Sequence, residues 1–121
     1  MKDGTYINFN YLKELTGGNT EGMAVMLKAY LEETPRLLNN MKESIASENW
    51  DGIKNAAHSM LPSFPMLGMK KEYEDLARQI QDQAYRKENL PEIKEHYTQL
   101  RSVCDKAMVE LQHELDSLNK K

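Results

Sequence analysis

The sequence is poor in the residues that would place it outside the cell or within a membrane. Its one cysteine, Cys104, excludes an internal disulfide and any cysteine-based metal site. No run approaches the ~18 apolar residues of a membrane span, and the opening residues lack the apolar centre of a signal peptide. Lysine and arginine form no stripe able to track a phosphate backbone, and the net charge is only −3, which makes nucleic acid a poor partner. There is no glycine-rich phosphate loop and no recurring His/Glu pair at ligand spacing, so neither a metal site nor a nucleotide site is indicated. Ser59 and His58 are no catalytic dyad either, because successive helical residues point about 100° apart. These absences leave a reducing, cytoplasmic address and a non-enzymatic role as the expectations.

What is present is a globular composition: 121 residues, 40% hydrophobic and 29% charged, with 2 Phe and 1 Trp. That is too apolar for a disordered chain and enough for one core, so residues 1–121 are expected to form a single domain. The initiating Met1 and the polar end favour a free-standing protein.

The apolar spacing is helical throughout. Asn8 to Leu15 reads as a short helix closed by Gly17-Gly18. A second helix should start at Asn19 or Thr20, with Met23, Leu27, Tyr30, Thr34, Leu37, Met41 and Ile45 along one stripe and a bend at Pro35, which frees the Leu31 carbonyl. A third starts at the cap Asn49, turns Trp50, Ile53, Ala57 and Met60 inward and ends near Pro62. A fourth runs from about Met69 to Gln83. The last is capped by Asn89, tolerates Pro91 in its first turn and extends through Leu118, roughly 40 Å. The expected fold is all-α, an antiparallel four-helix bundle with a short extra N-terminal helix, closed by its own helices as a monomer.

One stretch is unlike the rest. From Asn55 to Met69 there are fifteen residues without a formal charge, where the overall composition would give about four. With Ile53, Ala57 and Met60 inward, Lys54, His58 and Leu61 share the opposite, exposed side. A histidine and a leucine together in solvent, within an uncharged patch, read as a docking surface, with Ser59, Pro62 and Phe64 as its other members. His96 and His113 lie among Glu, Lys and Gln with no partner at a ligand spacing, and read as ordinary surface histidines.

The segment from Ala56 to Met69 resembles the histidine-containing phosphotransfer (HPt) domains of multi-step two-component signalling. In that family small residues precede a histidine, an apolar residue follows two later, Lys-Gly three and four later, and Gly ten later. Here Ala56-Ala57 precede His58, Met60 is the apolar residue and Gly68 is the distal glycine. The turn at Ser47–Trp50, the proline-bearing helix around Pro35 and the lead-in before Asn19 are also similar to the family. In place of Lys-Gly stand Leu61-Pro62.

The resemblance implies a phosphoryl group accepted on His58 from a receiver-domain aspartate and passed to another receiver. The partners would be response regulators or hybrid kinases, with no cofactor on this chain and Mg²⁺ on the receiver. It also implies a cation beside the phosphoryl oxygens, with Lys54, Lys70 or Lys71 in place of the missing lysine. A polar side chain on the next helix should orient the ring, with Gln81 ahead of Gln79. Gly68 would keep the histidine face uncrowded. Such a carrier needs little machinery, since an ordinary imidazole is mostly neutral at neutral pH and phosphoryl transfer depends mainly on alignment and charge neutralisation. The alternative is a helical protein-interaction module, degenerate or unrelated, without phosphate chemistry.

Overall fold

The structure is a computed structural model and describes residues 5–120. Six helices follow one another: α1 (Asn10–Leu15), α2 (Thr20–Ala46), α3 (Trp50–Met60), α4 (Ser63–Met66), α5 (Lys71–Arg86) and α6 (Leu90–Asn119). The all-α bundle expected from the periodicity is what forms.

Local chemistry sets most of the boundaries. Gly17 and Gly18 take positive φ angles, and the Gly18 N–H donates back to the Lys13 carbonyl at 2.9 Å, closing α1. Asn19 and Asn49 start α2 and α3 by accepting the Gly22 and Gly52 N–H groups at 2.8 and 3.0 Å. Asn89 stands at the start of α6 as expected but caps it differently. Its backbone is left-handed, φ 63°, and its side chain makes no capping bond; instead its carbonyl accepts the Ile93 N–H at 3.0 Å. Asn tolerates that conformation better than most residues. Pro35 lies inside α2, which continues through it.

α2, α3, α5 and α6 pack in that order around a ring, and α6 closes back on α2. Leu38, Met41, Ile53, Ala57, Met60, Phe64, Ala77, Ile80, Ile93, Leu100 and Cys104 fill the space between them. The helices differ in length. α2 and α6 have 27 and 30 residues, whereas α3 and α5 have 11 and 16. At 1.5 Å per residue the first pair outreaches the second by roughly 15–30 Å. The N-terminal half of α2 and the C-terminal half of α6 therefore need another cover for Met23, Leu27, Leu111, Leu115 and Leu118. Ile7, Phe9 and Leu12 supply it from the N-terminal segment, together with Leu67 from the corner after α4.

Two polar contacts tie that segment down. The Glu110 carboxylate accepts the Tyr6 and Ile7 N–H groups at 3.0 Å, and the Asn8 N–H donates to the Leu67 carbonyl at 3.0 Å. The second contact explains Gly68. Its φ is +62°, and a Cβ there would lie 2.4 Å from the Asn8 carbonyl oxygen. Gly68 thus keeps the corner close to the N-terminal segment.

Candidate functional site

α3 is short, and its inward face is dense with small and apolar side chains. Ile53, Ala56, Ala57 and Met60 are all buried. Stepping about 100° per residue from that face brings Asp51, Asn55 and His58 to the outermost line of the helix, and all three are exposed. His58 is therefore presented to solvent from a helix locked underneath by four buried side chains.

A groove runs along each side of this ridge. On the α2 side it is lined by Arg36, Asn40, Glu43, Ser44, Asn55 and Ser59. On the α5 side Lys54 faces Arg78, Gln81, Asp82 and Tyr85. Lys54 lies one turn before His58, where side chains four apart are neighbours about 5–6 Å apart at Cβ. Its ammonium is 5.9 Å from the centre of the Tyr85 ring and 3.8 Å from the Asp51 carboxylate.

Several residues singled out from the sequence meet here and others do not. Lys54 and Gln81 share the α5-side groove. Gln79 is exposed and, two positions along α5, points about 160° away from Gln81. Ser59 and Pro62 are exposed near His58. Lys70 is exposed at the start of α5, while Lys71 pairs with Asp75 at 3.6 Å.

Two docking expectations need correction. Phe64 is 1% exposed and belongs to the main core, so it cannot touch a partner. The reason is α4: Pro62 and the Ser63 hydroxyl, bonded to the Met60 carbonyl at 2.6 Å, fold the chain into a further helical turn that swings Phe64 inward. Leu61 is half-buried and packs against the same core, leaving only part of its surface outward. Lys54 is likewise half-buried instead of fully exposed.

The other two histidines have different settings. His96 is not partnerless. Its side chain is 14% exposed, Nδ1 lies 3.2 Å from Gln83 Oε1, and Nε2 lies 3.8 Å from Glu92. His113 is exposed on the far half of α6. Sequence reasoning missed Arg78 and Tyr85. The signal for them was present at the three- and four-residue offsets from Gln81, which put all three on one face of α5.

No match was found among curated proteins, and none among solved structures. A family model described as the Hpt domain matches residues 25–120. The matched span runs from the second turn of α2 to the end of α6 and includes all of α3, α5 and α6 and the His58 ridge. The chain belongs to the Hpt domain family, the histidine phosphocarriers of two-component phosphorelays.

Proposed function

We propose that His58 is the phosphoacceptor, and that this chain takes a phosphoryl group from a receiver-domain aspartate and hands it to another receiver as a monomeric, cytoplasmic carrier. The observation that carries this reading is the setting of His58: an exposed imidazole on the outermost line of α3, with Ala56 and Ala57 buried directly beneath. His96, by contrast, is engaged by Gln83 and Glu92.

The chemistry follows from this geometry. The unprotonated ring nitrogen of a neutral His58 donates its lone pair to phosphorus, forming the N–P bond. The bond from phosphorus to the aspartate oxygen breaks, and the carboxylate leaves with that electron pair. The proton on the other ring nitrogen stays with the phosphorylated ring, and the reverse step returns the group to an aspartate. The transition state carries its negative charge on the phosphoryl oxygens, so cations must lie close. Lys54 supplies one from this chain, and the receiver supplies its own, together with Mg²⁺. Gln81, which lines the α5-side groove with Lys54, is the candidate to hold the ring or the phosphoryl oxygens. Ser59, Pro62 and the outward part of Leu61 border the histidine and form the contact surface for the receiver. Lys70 lies at the corner beyond and adds a diffuse positive charge.

The test is transfer from a phosphorylated receiver to the wild-type chain and to His58→Gln. Acid-labile label should appear on the first and not on the second, with both folded. A wild-type chain that binds receivers yet takes no label would instead be an interaction module, the reading favoured by Leu61-Pro62 in place of the family's Lys-Gly.

A further inference from the structure

The buried side chains form two clusters. One fills the four-helix ring. In the other, Ile7, Phe9 and Leu12 of the N-terminal segment close over α2, the far half of α6 and Leu67. Residues 6–16 are thus a cover laid on an apolar groove, and all of them precede residue 25, where the match to the Hpt family begins. A small set of polar contacts holds the cover in place. The Glu110 carboxylate accepts the Tyr6 N–H at 3.0 and 3.1 Å and the Ile7 N–H at 3.0 Å. Beside it, Lys106 stands 5.9 Å over the Tyr6 ring, which lies 5.7 Å from the Tyr73 ring. The Asn8 N–H donates to the Leu67 carbonyl. At the other end Gly17 and Gly18 join α1 to α2, and a Cβ at either would meet nothing within 4 Å. Such a glycine pair can turn without collision.

We infer that residues 6–16 form a clasp that opens about Gly17-Gly18 while the ring stays folded, and that Glu110 is its catch. Three buried apolar side chains anchor the clasp, whereas fifteen buried residues fill the ring core; a part held by fewer buried contacts opens at lower free energy. Opening breaks the bonds to Glu110 and Leu67 and bares Met23, Leu27 and Leu111, but leaves Ile53, Ile80 and Leu100 packed. α1 goes with it, because a helix of six residues does not persist alone in water. The corner after α4 is loosened too, since Leu67 is buried in the clasp's own cluster and accepts its hydrogen bond. A carboxylate suits the catch, because a charged acceptor binds N–H groups more strongly than a neutral one. His58 plays no part in the opening, so the outcome does not depend on which residue accepts phosphate.

The test is amide hydrogen exchange in the full chain, read residue by residue by NMR. In the wild type the amides of Tyr6, Ile7, Asn8 and Thr16 should exchange at least about tenfold faster than those of Ile53, Ile80 and Leu100, after correction for intrinsic rates. Glu110→Ala should speed the clasp amides about ten- to hundredfold, the equivalent of a lost hydrogen bond to a charged group. Glu110→Gln should speed them less, because its neutral oxygen still accepts. Val109→Ala, at a neighbouring position that is 61% exposed, should change nothing. Ile80→Val removes one methylene from the ring core and should speed the ring amides about two- to tenfold. It should leave the clasp amides unmoved, because Ile80 keeps its contacts when the clasp opens.

Equal protection of clasp and ring amides in the wild type would overturn the inference. So would clasp amides that speed up together with the ring in Ile80→Val, since the domain would then open only as a whole. Clasp amides unmoved in Glu110→Ala, or moved as far by Val109→Ala, would remove Glu110 as the catch.

Discussion

Gly17 and Gly68 make a matched pair from which the cost of one backbone contact can be measured. Both have φ +62°, but a Cβ at Gly17 would meet nothing within 4 Å, whereas at Gly68 it would lie 2.4 Å from the Asn8 oxygen and 2.8 Å from the Asn8 Cβ. Gly17→Ala therefore incurs only the left-handed conformation, about 1–2 kcal/mol. Gly68→Ala incurs the same and must also displace residues 5–9. That movement gives up the Asn8 to Leu67 hydrogen bond, worth about 0.5–1.5 kcal/mol, and loosens Ile7 and Phe9, which are 1% and 2% exposed. The expected totals are about 1–2 kcal/mol for Gly17→Ala and about 2–4 kcal/mol for Gly68→Ala. Urea unfolding followed by circular dichroism resolves them, because a slope of ~1–3 kcal/mol per molar turns the difference into a midpoint shift of roughly half a molar or more. With the glycine serving only the corner, label uptake by folded Gly68→Ala should match the wild type. Equal midpoint losses in the two variants would refute the close approach to Asn8. A selective loss of uptake in Gly68→Ala would return the glycine to the phosphate site.

Two further outcomes follow from burial. Phe64→Ala should destabilise the domain by about 3–5 kcal/mol and Leu61→Ala by about 1–2 kcal/mol, the value for a leucine with only part of its surface in the core; near-zero urea shifts in both would contradict their placement. Cys104 is 3% exposed, and burial, with Asp105 adding to it, pushes its thiol up to about 12. An unfolded thiol loses its proton near ~8.5. Above that pH the unfolded chain binds fewer protons than the native one, so this contribution to stability is complete below pH ~8 and declines as pH rises towards 12. At pH 8 a thiol-reactive disulfide reagent should label Cys104 only after denaturation, and rapid labelling of the native protein would contradict the burial.

The parts of the fold that local patterning controls were readable in the sequence. The stripe from Met23 to Ile45, the caps Asn19 and Asn49 and the glycine stop after α1 follow from period, hydrogen-bonding capacity and φ preference, each confined to a few neighbouring residues. The inward set Ile53, Ala57 and Met60 was legible for the same reason, and with it the outward position of His58. What was not legible depends on the chain meeting itself. The turn α4 arises where two prolines and a serine interrupt α3, and no periodic pattern in four residues shows that Phe64 will turn inward. The approach of Asn8 to Gly68 joins segments sixty residues apart. His96 acquires Gln83 only because α5 and α6 are neighbours. Nothing in the sequence joined Tyr85 to Lys54, which lies on another helix with its ammonium 5.9 Å from the ring centre.

The most direct measurement is the location of the phosphoryl group after transfer from a phosphorylated receiver, by peptide mass spectrometry kept at neutral or alkaline pH so that an acid-labile N–P bond survives. With His58 as the acceptor, the mass of one phosphoryl group is found on the peptide that spans Ala56 to Met69, at His58, and is missing in His58→Gln. A phosphoryl group on His96 or His113, or its persistence in His58→Gln, would contradict the assignment.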